Sequence, residues 1–217
     1  MILRLNMPPV KRNYDSSRRR AQARQSRARV LDVARTRFLR DGYAATTIAD
    51  IAADADVAPQ TVAKQFGNKP GLVRALFDVA LVGDDDETPL AAREWIVAIH
   101  EEPDPRVKLR MYADTLASML PRIGPIQLLA REASADPGIG EVWRGIRAGR
   151  LAGMTDLARN LEAGGHLRAG VGVDEARDVL WTFSSPELYE LLAIEREWST
   201  ERYAAFVADG AIAALLP

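Results

Sequence analysis

Between Pro59 and Lys69 the chain sets Gln60, Thr61, Lys64 and Gln65 close together, with Lys69 just beyond. A Gln amide carries donor and acceptor and can bond adenine in bidentate fashion; a Lys ammonium donates to guanine or to phosphate. Thr47 and Lys69 stand at the starts of short helical segments, where a hydroxyl, an ammonium and free backbone N–H groups suit phosphate oxygens. Taken alone, these side chains are equally those of a solvated helix. The elements that hold them decide between the two readings.

Other chemistries find little support. There is no cysteine and there are two histidines, His100 and His166. His100-Glu101-Glu102 lacks the second histidine of a His-Glu-x-x-His zinc site, and no Gly-x-Ser-x-Gly elbow or Gly-rich phosphate loop is present. The acidic run at 84–87 lacks the alternating Asp pattern of a calcium loop and reads as a solvated linker. No catalytic residue, metal ligand or cofactor is therefore expected. A second group is apolar: Trp95, Met111, Tyr112, Leu116, Met119, Trp143 and Met154. Helical bundles build ligand cavities from such aromatic and flexible walls. For any one of these residues, ordinary core packing is the competing explanation.

The chain has 217 residues, 47% apolar and 27% charged, the balance of an ordinary globular protein of one or two domains. No apolar run approaches the roughly 18 residues of a membrane span. The start has too short an apolar stretch for a signal peptide, so a cytoplasmic protein without membrane contact is expected. The net charge of −1 hides an asymmetry: residues 1–80 carry 15 Lys and Arg against 7 acids, and residues 81–217 carry 14 against 23. A basic first third beside an acidic remainder suggests that the first part meets a polyanion.

Residues 1–20 lack apolar periodicity and read as a disordered basic arm. From about Ala21, Val30, Val33, Ala34 and Phe38 recur at helical spacing, and Gly42 supplies the stop. Tyr43 is expected to fold back on that helix. Thr47 followed by Asp50 resembles a capping box for a helix at 48–55. Asp56 sits where a tight turn needs a left-handed residue, which Asp tolerates. Pro59 suits the first turn of a helix at 59–66, Gly67 ends it, and Asn68 caps another at 69–82. Two short helices joined by a tight turn, after a longer basic helix, make a helix-turn-helix layout.

The segments Gly42-Tyr43-Ala44-Ala45-Thr46-Thr47-Ile48-Ala49-Asp50-Ile51-Ala52, Val57-Ala58-Pro59-Gln60-Thr61-Val62 and Phe66-Gly67-Asn68-Lys69-Pro70-Gly71-Leu72 resemble the DNA-binding domain of TetR-family transcriptional regulators, over about residues 22–80. The resemblance implies that Thr47, Pro59, Gln60, Thr61, Lys64, Gln65 and Lys69 meet a double-stranded DNA operator. It also implies that some of the apolar group from Trp95 to Met154 lines an effector cavity. The chain departs from the family where Asp56 replaces a usual Gly and Ala58 a usual Ser. Ala63 lacks a common aromatic ring, and Gln65 stands where His is common.

Residues 88–217 read as helices at 90–101, 105–120, 125–135, 139–163, 173–184, 186–194 and 200–215, with Asp174 and Ser199 as caps and Gly164-Gly165 as a stop. The segments 174–181, 184–189 and 198–203 resemble, more loosely, the last helices of many TetR regulators, which implies a homodimer there. In the last helix Tyr203, Phe206, Val207, Gly210, Ala211, Ala214 and Leu215 recur at three- and four-residue steps, as a pairing face needs. The expected architecture is all-α: an arm at 1–20, a helix-turn-helix DNA-binding domain at 21–82, and a larger effector-binding and dimerisation domain at 88–217. The expected function is a repressor released from a palindromic operator by an apolar small molecule. An activator of the same family, or an effector-binding bundle without a DNA role, are the alternatives.

Overall fold

A computed structural model describes residues 14–83 and 88–217, with side chains from Arg18 onward. Among these residues there is no strand, and no helix is long and apolar enough to cross a membrane. The part of the expected arm at 1–13 and the acidic run at 84–87 lie outside the described residues.

Helix α1 runs Tyr14–Ala45, so it begins before Ala21 and takes in Arg18, Arg19 and Arg20. Between Tyr14 and Asp41 there is no Gly or Pro, and Arg, Ala and Gln are strong helix formers. That propensity, rather than burial, carries the turns from Arg18 onward: among the described side chains of α1 the first core residue is Val30. The expectation of a disordered stretch over 14–20 came from missing apolar periodicity, which an exposed helix does not need. At Gly42 the backbone turns through φ 81°, and the Tyr43 ring stacks on Phe38 at 5.9 Å.

Helix α2 (Ile48–Asp54) is capped by Thr47, whose hydroxyl accepts from the Asp50 N–H and donates to the Asp50 carboxylate at 2.6 Å. The Asp50 side chain thus answers the Thr47 hydroxyl rather than its backbone. The turn passes through Asp56 at φ 52° into α3 (Pro59–Phe66). Gly67 then adopts φ 76°, and Asn68 caps α4 (Lys69–Val82) by accepting from the Gly71 N–H at 2.8 Å. Val30, Ala34, Phe38, Ile51, Val62, Leu72 and Val73 are buried among these four helices.

The second part is built around α6 (Pro105–Glu132), which contacts α4, α7, α9 and α10. Two helices were expected here, at 105–120 and 125–135. A single helix forms with Pro121 and Pro125 inside it. Proline deletes an N–H and leaves the carbonyl four residues earlier without its helical donor. For Pro125 that carbonyl belongs to Pro121, and the Arg35 guanidinium of α1 lies against it at 3.5 Å while donating to the Arg122 carbonyl at 2.9 Å. The expected helix at 90–101 instead breaks at Arg93 into a 3₁₀ turn, Leu90–Ala92, and α5 (Glu94–Glu101).

Helix α7 (Pro137–Ala163) ends before Gly164, and Gly165 adopts φ 67°. Helix α8 (Val173–Phe183) starts from Gly172 rather than from an Asp174 cap; Asp174 sits in the first turn and pairs with Arg177 at 2.7 Å. Helix α9 (Pro186–Tyr189) continues into a π-helical turn, Glu190–Ile194, and α10 (Thr200–Leu215) is capped by Ser199 as expected.

Candidate DNA-binding surface and helical domain

Burial of Val62 and Phe66 fixes the rotation of α3, which leaves Pro59, Gln60, Ala63, Lys64 and Gly67 exposed on one side. Thr61 is half-buried at the flank. The exposed strip therefore offers an amide, an ammonium and a methyl group, types that bond base edges and pack on a thymine methyl. Ala63 occupies the middle of that strip. The missing aromatic ring leaves only a methyl group there, between Gln60 and Lys64.

Helix α1 overhangs α3. Gln22, Gln25, Ser26 and Arg29 face Asp56, Val57, Ala58 and Thr61 across an open groove of about 450 Å³. Arg27 lies over the Phe66 ring at 4.8 Å. The α1 residues of this groove were not among the expected site residues. They could have been found from the strong helix propensity of 18–29, which places Gln22, Gln25, Ser26 and Arg29 on one face at three- and four-residue steps.

Two expected DNA contacts have intramolecular work, and a third is turned partly inward. The Lys69 ammonium donates to the Tyr43 carbonyl at 2.8 Å and the Thr46 carbonyl at 3.0 Å, and it lies over the Tyr43 ring at 4.0 Å. Burial lowers its pKa below the usual lysine value. It pins the start of α4 to the end of α1, leaving one N–H for anything else. The Thr47 hydroxyl is engaged at both ends by Asp50. Gln65 is half-buried with its Oε1 turned inside and unpartnered, not outward as expected.

In the helical domain Trp95, Met111, Leu116, Trp143 and Met154 are half-buried, and Tyr112 and Met119 are buried, all within one apolar cluster. The structure joins Tyr112 to Met154: the phenol donates to the thioether sulfur at 3.1 Å. Burial pushes the Tyr112 pKa up to about 12. Tyr203 of α10 and Arg150 of α7 lie within electrostatic reach of that phenol. Arg150 stacks on Trp181 at 4.6 Å, and Arg147 bridges Trp181 at 5.6 Å and Trp143 at 6.0 Å. Arg150, Trp181 and Tyr203 were not expected here. The signal for Arg150 was present: Ile139, Trp143, Ile146, Arg150, Met154, Leu157 and Leu161 form one stripe at three- and four-residue spacing, with a charge in its middle.

The stripe proposed for pairing on α10 divides. Tyr203, Val207, Ala211 and Leu215 are buried within the protomer, where α10 packs on α6. The small residue Gly210 makes room for the Phe183 ring of the same chain, not for a second helix. Phe206 stays outside, edge-on to Phe183 and Trp198, and Leu191 and Ile194 are also exposed.

Residues 30–76 match the family model described as bacterial regulatory proteins, tetR family. No curated protein matches the chain in sequence. Several solved structures share its fold. NalD, the secondary repressor of the MexAB-OprM multidrug efflux pump in Pseudomonas aeruginosa, is 18% identical with a TM-score of 0.70, over 89% of this chain and 98% of NalD. FadR from Bacillus subtilis, solved in complex with stearoyl-CoA, is 18% identical with a TM-score of 0.67, over 86% and 97%. A protein from Rhodococcus sp. described as a TetR-family transcriptional regulator is 14% identical with a TM-score of 0.66, over 88% and 98%. The helix-turn-helix at 30–76 thus matches the tetR-family model, and over most of its length the chain shares its fold with solved TetR-family regulators.

Proposed function

We propose that the protein is a repressor whose homodimer sets two copies of α3 into successive major grooves of a palindromic operator, and that a small molecule held in the helical domain releases it. The observation that carries the DNA half is the exposed strip of Gln60, Ala63 and Lys64 beside the basic flank of α1. One such strip reads only a few base pairs, so specificity calls for two copies at fixed spacing. NalD supplies a precedent for repression on this fold, and Bacillus subtilis FadR for a ligand with a long apolar tail. The proposed pairing surface is the outer side of α8, the π-helical turn and α10. There Leu191 is 50%, Ile194 48% and Phe206 39% exposed.

Release requires that the effector favour a geometry in which the two α3 helices no longer match the operator. The contacts available for that coupling join α6 to the DNA-binding helices. Arg35 of α1 meets the carbonyls near Pro121, and Arg122 of α6 donates to the Ala80 carbonyl of α4 at 3.1 Å. Selection of bound fragments from genomic DNA tests the proposal. It should return a palindrome with half-sites about one helical turn, or a multiple, apart. Retention that shows no sequence preference at any salt concentration would overturn it.

A further inference from the structure

We infer that the helical domain recognises an effector bearing a carboxylate, with Arg150 as the residue that receives it. This rests on the reading of that domain as the effector domain, and it narrows the apolar effector of that reading to an amphipathic acid. Arg150 Nη1 is buried and has no hydrogen-bond partner. Buried N–H groups in folded proteins are nearly always paired, and an uncompensated one on a charged group is especially costly. No ion pair to Arg150 forms among the described residues. Glu187 is the acid within electrostatic reach, but its carboxylate pairs with Arg131 at 3.5 Å.

The surroundings define the rest of the ligand. The Arg150 guanidinium carbon lies 4.6 Å over the centre of the Trp181 ring, and a guanidinium offers a planar N–H fork that matches a carboxylate. Arg147, one turn earlier on α7, shares the same indole and adds a second positive charge. Tyr112 and Tyr203 lie within electrostatic reach of Arg150, and their hydroxyls are occupied within the chain: Tyr112 donates to Met154, and Tyr203 donates to the Phe183 carbonyl at 3.4 Å. On this inference, these side chains offer rings and a thioether to the ligand body while Arg150 holds its head. Desolvation lowers the Arg150 pKa from the usual arginine value, and the charge of Glu187 offsets part of that lowering.

The test uses the full-length protein with two matched probe pairs, decanoate against decanol and naphthoate against naphthol. Binding is read by calorimetry, and release by operator gel shift. Wild type should bind an acid and not its alcohol. Arg150→Gln should bind that acid at least about tenfold more weakly, and Arg150→Lys should fall between. Unliganded Arg150→Met should melt at or above the wild-type temperature, because it removes a buried N–H group without a partner; a loss of several degrees would make Arg150 a structural prop for Trp181 and overturn the inference. Equal affinity for acid and alcohol, or unchanged acid binding in Arg150→Gln, would also overturn it, yet operator release by either probe would leave the effector reading standing. No binding and no release by any of the four probes would bring down both.

Discussion

The DNA-binding helices and the helical domain place their chemistry on opposite sides of the protein surface. In α1–α4 the candidate contacts point outward, on a helix whose inner side is locked by Val62 and Phe66. In α5–α10 the distinctive polar groups are inside. Arg150 has a buried, unpartnered nitrogen, Gln127 is buried with Oε1 unpartnered, and Lys108 is buried while donating to the His100 carbonyl and to Asn160. The proposed partners account for the difference. A DNA groove is large and charged and is met by an exposed rigid edge, whereas a small molecule is held by enclosure.

The same contrast is strongest on α10, where one helix has a buried and an exposed side. Val207 is fully buried and Phe206 next to it is 39% exposed. Val207→Arg puts a charge into the packing of α10 on α6 and should cost about 3–5 kcal/mol or more, enough to unfold much of the domain. Phe206→Glu should keep the fold and yield monomers that lose tight operator binding. Circular dichroism melts and equilibrium sedimentation read both variants. A folded Val207→Arg, or a dimeric Phe206→Glu, would break the assignment of inner and outer sides.

On the DNA side, each good base contact contributes about 1–3 kcal/mol of discrimination, so the Gln60→Ala, Lys64→Ala double variant should lose about tenfold or more of operator affinity and shift its preferred sequence. Lys69→Ala should behave differently. Its ammonium is spent on the Tyr43 and Thr46 carbonyls, so the melting temperature should fall along with affinity for every sequence. Fluorescence anisotropy on operator and scrambled duplexes separates the two patterns. A next, smaller effect concerns the helical flank. Replacing Arg18, Arg19 and Arg20 with Gln should flatten the logarithmic salt dependence by up to about 0.9 for each phosphate no longer neutralised, with the preferred site unchanged.

Legibility in the sequence follows the same division. Gly42, Thr47, Gly67 and Asn68 act through neighbours within a few residues, and the structure finds each in the conformation or cap its type favours, while Asp56 takes a left-handed conformation that its type only tolerates. The helix start at Tyr14 was missed because propensity without burial leaves no periodicity. The single α6 was missed because Arg35, the donor beside the carbonyl that Pro125 leaves over, is 86 residues away in sequence. Tyr112 and Met154 were legible as an apolar wall, but Arg150 was hidden within a stripe that reads as core. An enclosing site of the kind proposed would borrow the pattern of packing, with only a charge out of place to mark it.

Coupling between the two regions should be weaker than either region's own contacts. Arg35→Met removes the guanidinium from the carbonyls of Pro121 and Arg122 while keeping much of the side chain's apolar stem. Operator affinity without effector should stay within a few-fold. The ratio of affinities with and without effector should shrink, since coupling energies of this kind are about 1–3 kcal/mol in total. An unchanged ratio would mean that the signal travels through Arg122 and Ala80 instead.

The smallest effect is expected at Asp56, the one residue of the helix-turn-helix turn that departs from the residue type its backbone favours. Its φ of 52° is the left-handed region, where a non-glycine residue is strained and Asp and Asn are tolerated better than most. Asp56→Gly relieves that strain but gives the unfolded chain more freedom, so the net gain should be no more than about 1 kcal/mol. Asp56 also places a carboxylate in the groove between α1 and α3, where it repels phosphate. Asp56→Asn separates these contributions, because it keeps the tolerance for the left-handed backbone and removes the charge. Both variants should bind DNA more tightly at low salt, and only Asp56→Gly should raise the melting temperature. If Asn raised it equally, relief of local repulsion rather than backbone strain would be the cause. If neither variant changed DNA affinity, the groove would not be a phosphate path, and α3 would approach DNA without the help of α1.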